Sequence, residues 1–172
     1  MKEIIQALAK YSASVDQSLF ELLKPLKKEQ MMMQTKAYYP SIFDTLLHVF
    51  ISDLNWCKRY GGLFKGSKAF TGGLLSLDDK TLRKEFESVH AKLFRYTKEA
   101  DNMILQSVQE MGETQLDSVI TYKNNRGEEI RKELWKTLLQ CFNHQTHHRG
   151  QISVFLDMMG IENDYSSTLA RI

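Results

Sequence analysis

The chain has 172 residues, 42% of them hydrophobic and 26% charged, which is the size of one domain with a core of its own. Its 23 basic and 21 acidic residues leave a net charge of +2, too little for a dedicated nucleic-acid or membrane-surface binder. With 2 Pro, 9 Gly and 2 Cys, collagen-like, Pro-rich and disulfide-framework classes are excluded.

No apolar run approaches the roughly 20 residues that span a bilayer, and the N-terminus has no signal-peptide h-region. A soluble, cytoplasmic protein without membrane partners is expected. In chain order, the spacing predicts a first helix over residues 3–23, with Ile5, Leu8, Val15, Leu19 and Leu22 on one face. Pro25 and the polar run 27–30 end it. Lys24, Lys27 and Lys28 read as a solvated helix end, and Met31, Met32 and Met33 as a plain loop, with a groove or interface as the alternative.

A second helix is expected to start near Pro40, a good first-turn residue. It carries Phe43, Leu47, Phe50, Ile51 and Leu54, and Gly61-Gly62 is read as its stop. The aromatics Tyr38, Tyr39, Phe43, Phe50, Trp56 and Tyr60 suit a core or a dimer surface better than a base-stacking platform. From Leu82 the apolar steps of three and four run through Phe86, Val89, Leu93, Ala100, Ile104 and Val108 to Met111, with Tyr96 or Thr97 filling the one missing turn between Leu93 and Ala100. That predicts one helix of about eight turns, capped by Ser76 or Asp78, with Gly112 just past its end.

Val119 to Tyr122 are strand formers and 124–127 (Asn-Asn-Arg-Gly) is a turn, so a short hairpin follows. A fourth helix is expected from Lys132 to Met159, with Gly160 as its C-cap. The economical architecture is all-α: a four-helix bundle with a short β-hairpin before the last long helix, as one domain over residues 1–172.

Of the five histidines, His144, His147 and His148 fall on the fourth helix. His144 and His148 lie about 40° apart on the helical wheel and one turn removed, a spacing that lets both reach one metal ion. Cys141, Ile152 and Phe155 surround the direction of His148, with His144 on the shoulder of that face. His147 shares its direction with Gln140, Gln151 and Val154, and is expected outside the ligand set, at a pocket rim or a dimer contact. His48, embedded in the second helix, is the best third ligand, although a lone buried histidine is more often a hydrogen-bonded core residue.

His90, among Lys84, Glu87 and Lys92, reads as a solvated surface residue. Cys141 is read as a small core residue, with a fourth-ligand role as the alternative. Asp44, one turn before His48, either orients that imidazole or is solvated. The overlap of His-Gln-Thr-His-His with the protease pattern H-E-x-x-H fails, because Gln145 stands where a general base is required and an amide cannot serve as one.

The segment from Leu46 to Trp56 (L-L-H-V-F-I-S-D-L-N-W), the later N-H-Q-T-H-H-R-G-Q-I and the intervening V-I-T-Y-K-N-N-R-G-E-E-I-R-K-E-L-W together resemble the DinB (damage-inducible) family, also called YfiT-like metalloenzymes, over about residues 5 to 160. The resemblance implies a four-helix bundle holding a divalent metal, nickel or zinc, on three histidines, here His48, His144 and His148. It also implies homodimers and, in some members, thiol S-transferase or thiol-dependent isomerase activity with low-molecular-weight thiols; others are linked to hydrolysis.

The expected function is therefore a metal-dependent transferase or hydrolase that activates a small thiol or water for a small-molecule substrate. The alternative is a stress-linked, non-catalytic metal-binding or scaffold protein. Three histidines without an evident fourth ligand fit an open, catalytic site better than a closed structural one. No catalytic carboxylate is apparent, and nucleic-acid binding has no support in a chain of +2 charge without a basic face.

Overall fold

A computed structural model describes residues 1–124 and 126–172, with every side chain among them except that of Ser88. Its long helices are α1 (Lys2–Leu23), α3 (Ile42–Leu63), α5 (His90–Glu110) and α7 (Leu134–Met158). Short helices α2 (Lys28–Met31), α4 (Asp79–Ser88) and α6 (Glu113–Leu116) lie between them, with a 3-10 turn at Gly73–Ser76. Strands β1 (Val119–Lys123) and β2 (Glu129–Glu133) pair antiparallel immediately before α7. Helix α1 packs on α5, α5 on α3, α3 on α7 and α7 on α1, which closes a four-helix ring.

Each long helix buries one apolar stripe, as the periodicity requires. Ile5, Leu19 and Leu23 of α1 meet Phe43, Phe50 and Leu54 of α3, Leu93, Ala100 and Ile104 of α5, and Leu138, Ile152 and Leu156 of α7 in one core. Ser41 caps α3 by accepting from the Asp44 amide at 3.0 Å, one residue past the expected Pro40. A side-chain oxygen there satisfies an amide that has no partner inside the helix.

Four expectations change. The helix expected from Leu82 to Met111 is two helices, broken at Val89, whose φ of −144° and ψ of 85° are extended. The break turns Val89 out to solvent, 43% exposed, while Phe86 and Leu93 on either side stay buried; Val and His are only moderate helix formers. Asp78 is the cap of its first half, accepting from the Lys80 amide.

Gly61-Gly62 does not stop α3, which continues to Leu63. A Cβ at Gly61 would stand 3.1 Å from the Phe70 Cβ, so the glycine serves close packing rather than termination. Met31 is not a loop residue but the buried end of α2, 1% exposed. Lys132 and Glu133 belong to β2, paired with Ile120 and Val119. The strand runs straight into α7, and the Leu134 amide donates to the Ser118 carbonyl at 2.9 Å. Asn125, within the expected turn 124–127, lies outside the described residues.

Candidate metal centre

Helices α3 and α7 are packed neighbours in the bundle, and their histidines meet. The His48 Nε2 lies 2.9 Å from the His144 Nε2, and the His148 Nε2 lies 3.1 Å from that same atom. One ligand atom from each of the three falls within 4.8 Å of the others. Three imidazole nitrogens at these separations have no complementary partner among themselves unless a proton or a cation stands between them. Nitrogens held about 2.0–2.1 Å from a single tetrahedral ion lie roughly 3.4 Å apart, so the cluster is close to the spacing of a bound ion.

Burial reinforces this. It pushes the His48 pKa down to about 4, helped by the neighbouring His148. It does the same for His144, also to about 4, with His148, His48 and His147 adding repulsion. His148 is lowered as well by burial, against an opposing hydrogen bond to Gln151. All three are neutral at pH 7, the form in which imidazole binds metals.

The far nitrogens are held differently. The His148 Nδ1 donates to the Gln151 Oε1 at 2.7 Å, which leaves its Nε2 as the lone-pair nitrogen. The His48 Nδ1 is 2.8 Å from the Tyr39 hydroxyl, and the Tyr39 ring stacks on the His48 ring with centroids 4.2 Å apart. It also meets His148 edge-on at 5.4 Å. The His144 Nδ1 is buried without a partner.

Tyr39 comes from the loop before α3. Thr35 closes that loop by donating its amide to the Pro40 carbonyl at 2.8 Å, and Pro40 restricts the backbone of the residue before it. Sequence reasoning placed Tyr39 only among core or interface aromatics. A tyrosine in a loop has no periodicity to reveal its direction; the adjoining proline was the one local signal.

A model of the DinB family matches residues 1–167. The chain belongs to the DinB family. Among its relatives is Protein DinB of Bacillus subtilis (strain 168), 28% identical over 163 residues, which cover 93% of this chain and 88% of the relative.

In this DinB-family chain the neighbours of the three histidines take other roles. His147 is exposed and outside the three-nitrogen cluster. Its Nε2 lies 3.3 Å from the Gln151 Nε2 and its ring meets the His148 ring edge-on at 4.9 Å, so it borders the site without adding a nitrogen to the cluster. Cys141 donates to the Asp53 Oδ1 at 3.4 Å and is a core thiol, its pKa pushed well up by burial.

Two sequence readings are corrected. Asp44 neither orients His48 nor sits in water: it is buried and accepts from the Ser41 hydroxyl at 2.6 Å and from Arg83 at 2.7 Å, which fixes the start of α3. His90 is not solvated, because the break at Val89 makes it the first residue of α5. Its ring lies 5.2 Å from Phe43, and its Nε2 is buried without a partner.

Gln145 is a further finding. The residue that rules out the protease mechanism donates to the Asp53 Oδ2 at 2.9 Å and to the Asp101 Oδ1 at 3.4 Å. It ties α7 to α3 and α5 one position beyond His144. Among the described residues no helix is long and apolar enough to cross a membrane.

Proposed function

We propose that this DinB-family protein is a metal-dependent enzyme that holds a divalent ion, nickel or zinc, on His48, His144 and His148. The reaction is transfer to, or isomerisation with, a low-molecular-weight thiol, or hydrolysis by water, on a small-molecule substrate. The single observation that carries this reading is the convergence of three Nε2 atoms, 2.9 and 3.1 Å apart, on two different helices. When bound, a divalent ion at such a site lowers the pKa of a coordinated thiol or water, to roughly 7 for water on zinc.

The chain's own residues supply the rest. Gln151 keeps the His148 Nδ1 protonated, and Tyr39 holds the His48 Nδ1 and covers one face of its ring. Among the described residues no fourth His, Cys, Asp or Glu joins the group, and three protein ligands are the pattern of an open, catalytic site. The homodimer that the family resemblance implies belongs to the same proposal.

The test is a screen of nickel- and zinc-loaded protein against small thiols and electrophiles. Metal-dependent turnover that disappears in His148→Ala supports the enzyme. Tight metal binding with no turnover across the panel favours the non-catalytic scaffold instead.

A further inference from the structure

On the side of the bundle formed by α1 and α5 lies a cavity of about 390 Å³. None of its lining residues belongs to the histidine centre. Helix α5 contributes Ala91, Phe94, Arg95 and Lys98, at spacings of three, four and seven that set them in one stripe. From α1, Phe20 stacks on Phe94 with ring centroids 5.0 Å apart and planes 19° from parallel. Leu23 and Met31, each 1% exposed, extend the apolar wall. The volume is within the roughly 300–1,000 Å³ of small-molecule sites, and an apolar lining with a few polar groups is their usual make-up.

The polar groups are lopsided. Glu21 is the one acidic residue at the cavity, and it is ion-paired with Lys24. Arg95 and Lys98 have no carboxylate partner among the described residues; Arg95 rests only over the ring of its neighbour Tyr96, at 4.8 Å. His90 also lines the cavity, and its buried, unpartnered Nε2 carries an unmet desolvation cost. An apolar cleft with two unpaired cations at its edge complements a molecule with an apolar body and one negative end.

We propose that this cavity binds an amphipathic carboxylate, a medium-chain acyl or arylalkyl acid, with its apolar part on Phe20 and Phe94 and its carboxylate at Arg95 and Lys98. The site is independent of the metal centre and does not rest on the enzymatic reading.

Decanoate is the probe, titrated into the full chain in metal-free and zinc-loaded forms, by calorimetry and by amide chemical shifts. Decanol and decyltrimethylammonium share the tail and differ in charge. Decanoate should bind tightest of the three, with the largest shifts at Ala91, Phe94 and Lys98. The double variant Arg95→Glu, Lys98→Glu should weaken decanoate by about tenfold or more and leave decanol unchanged.

Both substitutions are at exposed positions, and an unchanged urea midpoint verifies that the variant folds. Ala91→Trp, also at an exposed position, should weaken both decanoate and decanol by filling the cleft. The proposal is overturned if decanoate binds no better than decanol, or if charge reversal has no effect. Shifts centred on His144 and His148 would also overturn it, as would a dimer dissociated by Ala91→Trp, which would show a second copy occupying the cleft.

Discussion

Two polar clusters interleave along the same turns of α7, and they are built on opposite principles. His144 and His148 belong to the first, Gln145 and Arg149 to the second. In the second, every group has a complement. Arg149 donates to the Asp16 Oδ2 at 3.1 Å and to the Ser12 hydroxyl at 2.8 Å, Ser12 donates to Gln145, and Gln145 donates to Asp53 and Asp101.

Three carboxylates facing one guanidinium would be costly if all were charged. Burial raises Asp53 to about 7 and Asp101 well above the usual carboxylate range, so protonation relieves the excess. The histidine cluster has no such closure, since three groups of the same kind point one nitrogen each at a shared position. A saturated network holds helices together, whereas a convergent and unsaturated one is built for something else. That difference identifies the site more securely than burial, because the saturated network is the more deeply buried of the two.

The contrast is sharpest in stability. Arg149→Met should cost about 3–5 kcal/mol in urea denaturation of the metal-free protein, because Asp16 is left buried without its cation. His48→Ala in the same assay should cost far less, since no charge loses a partner. Equal losses would erase the distinction between the two clusters.

A smaller effect is expected at the edge of the centre. Tyr39→Phe removes the hydroxyl that meets the His48 Nδ1 and keeps the ring. Metal affinity should fall by about tenfold, at the low end for a group that orients a ligand, with little change in unfolding midpoint. A calorimetric titration with zinc decides it, and an unchanged dissociation constant would mean that Tyr39 only packs.

A further contrast is in pH dependence. A folded pKa of about 7 for Asp53, against an ordinary value of 3.8, means that the native protein keeps a proton that the unfolded chain has released. This residue therefore makes stability fall as pH rises between about 4 and 7, with a limiting slope near 1.4 kcal/mol per pH unit. Asp53→Asn should flatten that slope. The histidines act in the opposite sense, their lowered pKa values making metal-free stability fall as pH drops from about 6.5 towards 4. A metal-free stability–pH curve identical in wild type and Asp53→Asn would assign the proton elsewhere.

Much of the first cluster could be read from residue spacing and little of the second. The wheel placed His148 inward, His144 on the shoulder and His147 outside, because a long helix converts sequence spacing into direction. His48 followed from its place in an apolar-periodic helix. Asp16, Asp53 and Asp101 sit in amphipathic helices where aspartate normally faces water, so only the packing of α1, α3 and α5 against α7 reveals them as buried. The break at Val89 was illegible because the apolar steps run through it unbroken. Gly61 misled for a related reason: a glycine chosen for contact with Phe70 looks, in one dimension, like a helix stop.

The three converging imidazoles are expected to act as one metal site that excludes the adjacent His147. Zinc and nickel dissociation constants for wild type, His148→Ala and His147→Ala test it most directly. Affinity should fall by more than about a hundredfold for His148→Ala, beyond what loss of a merely orienting group costs, and change little for His147→Ala. The opposite order, or equal affinity in all three proteins, would contradict it.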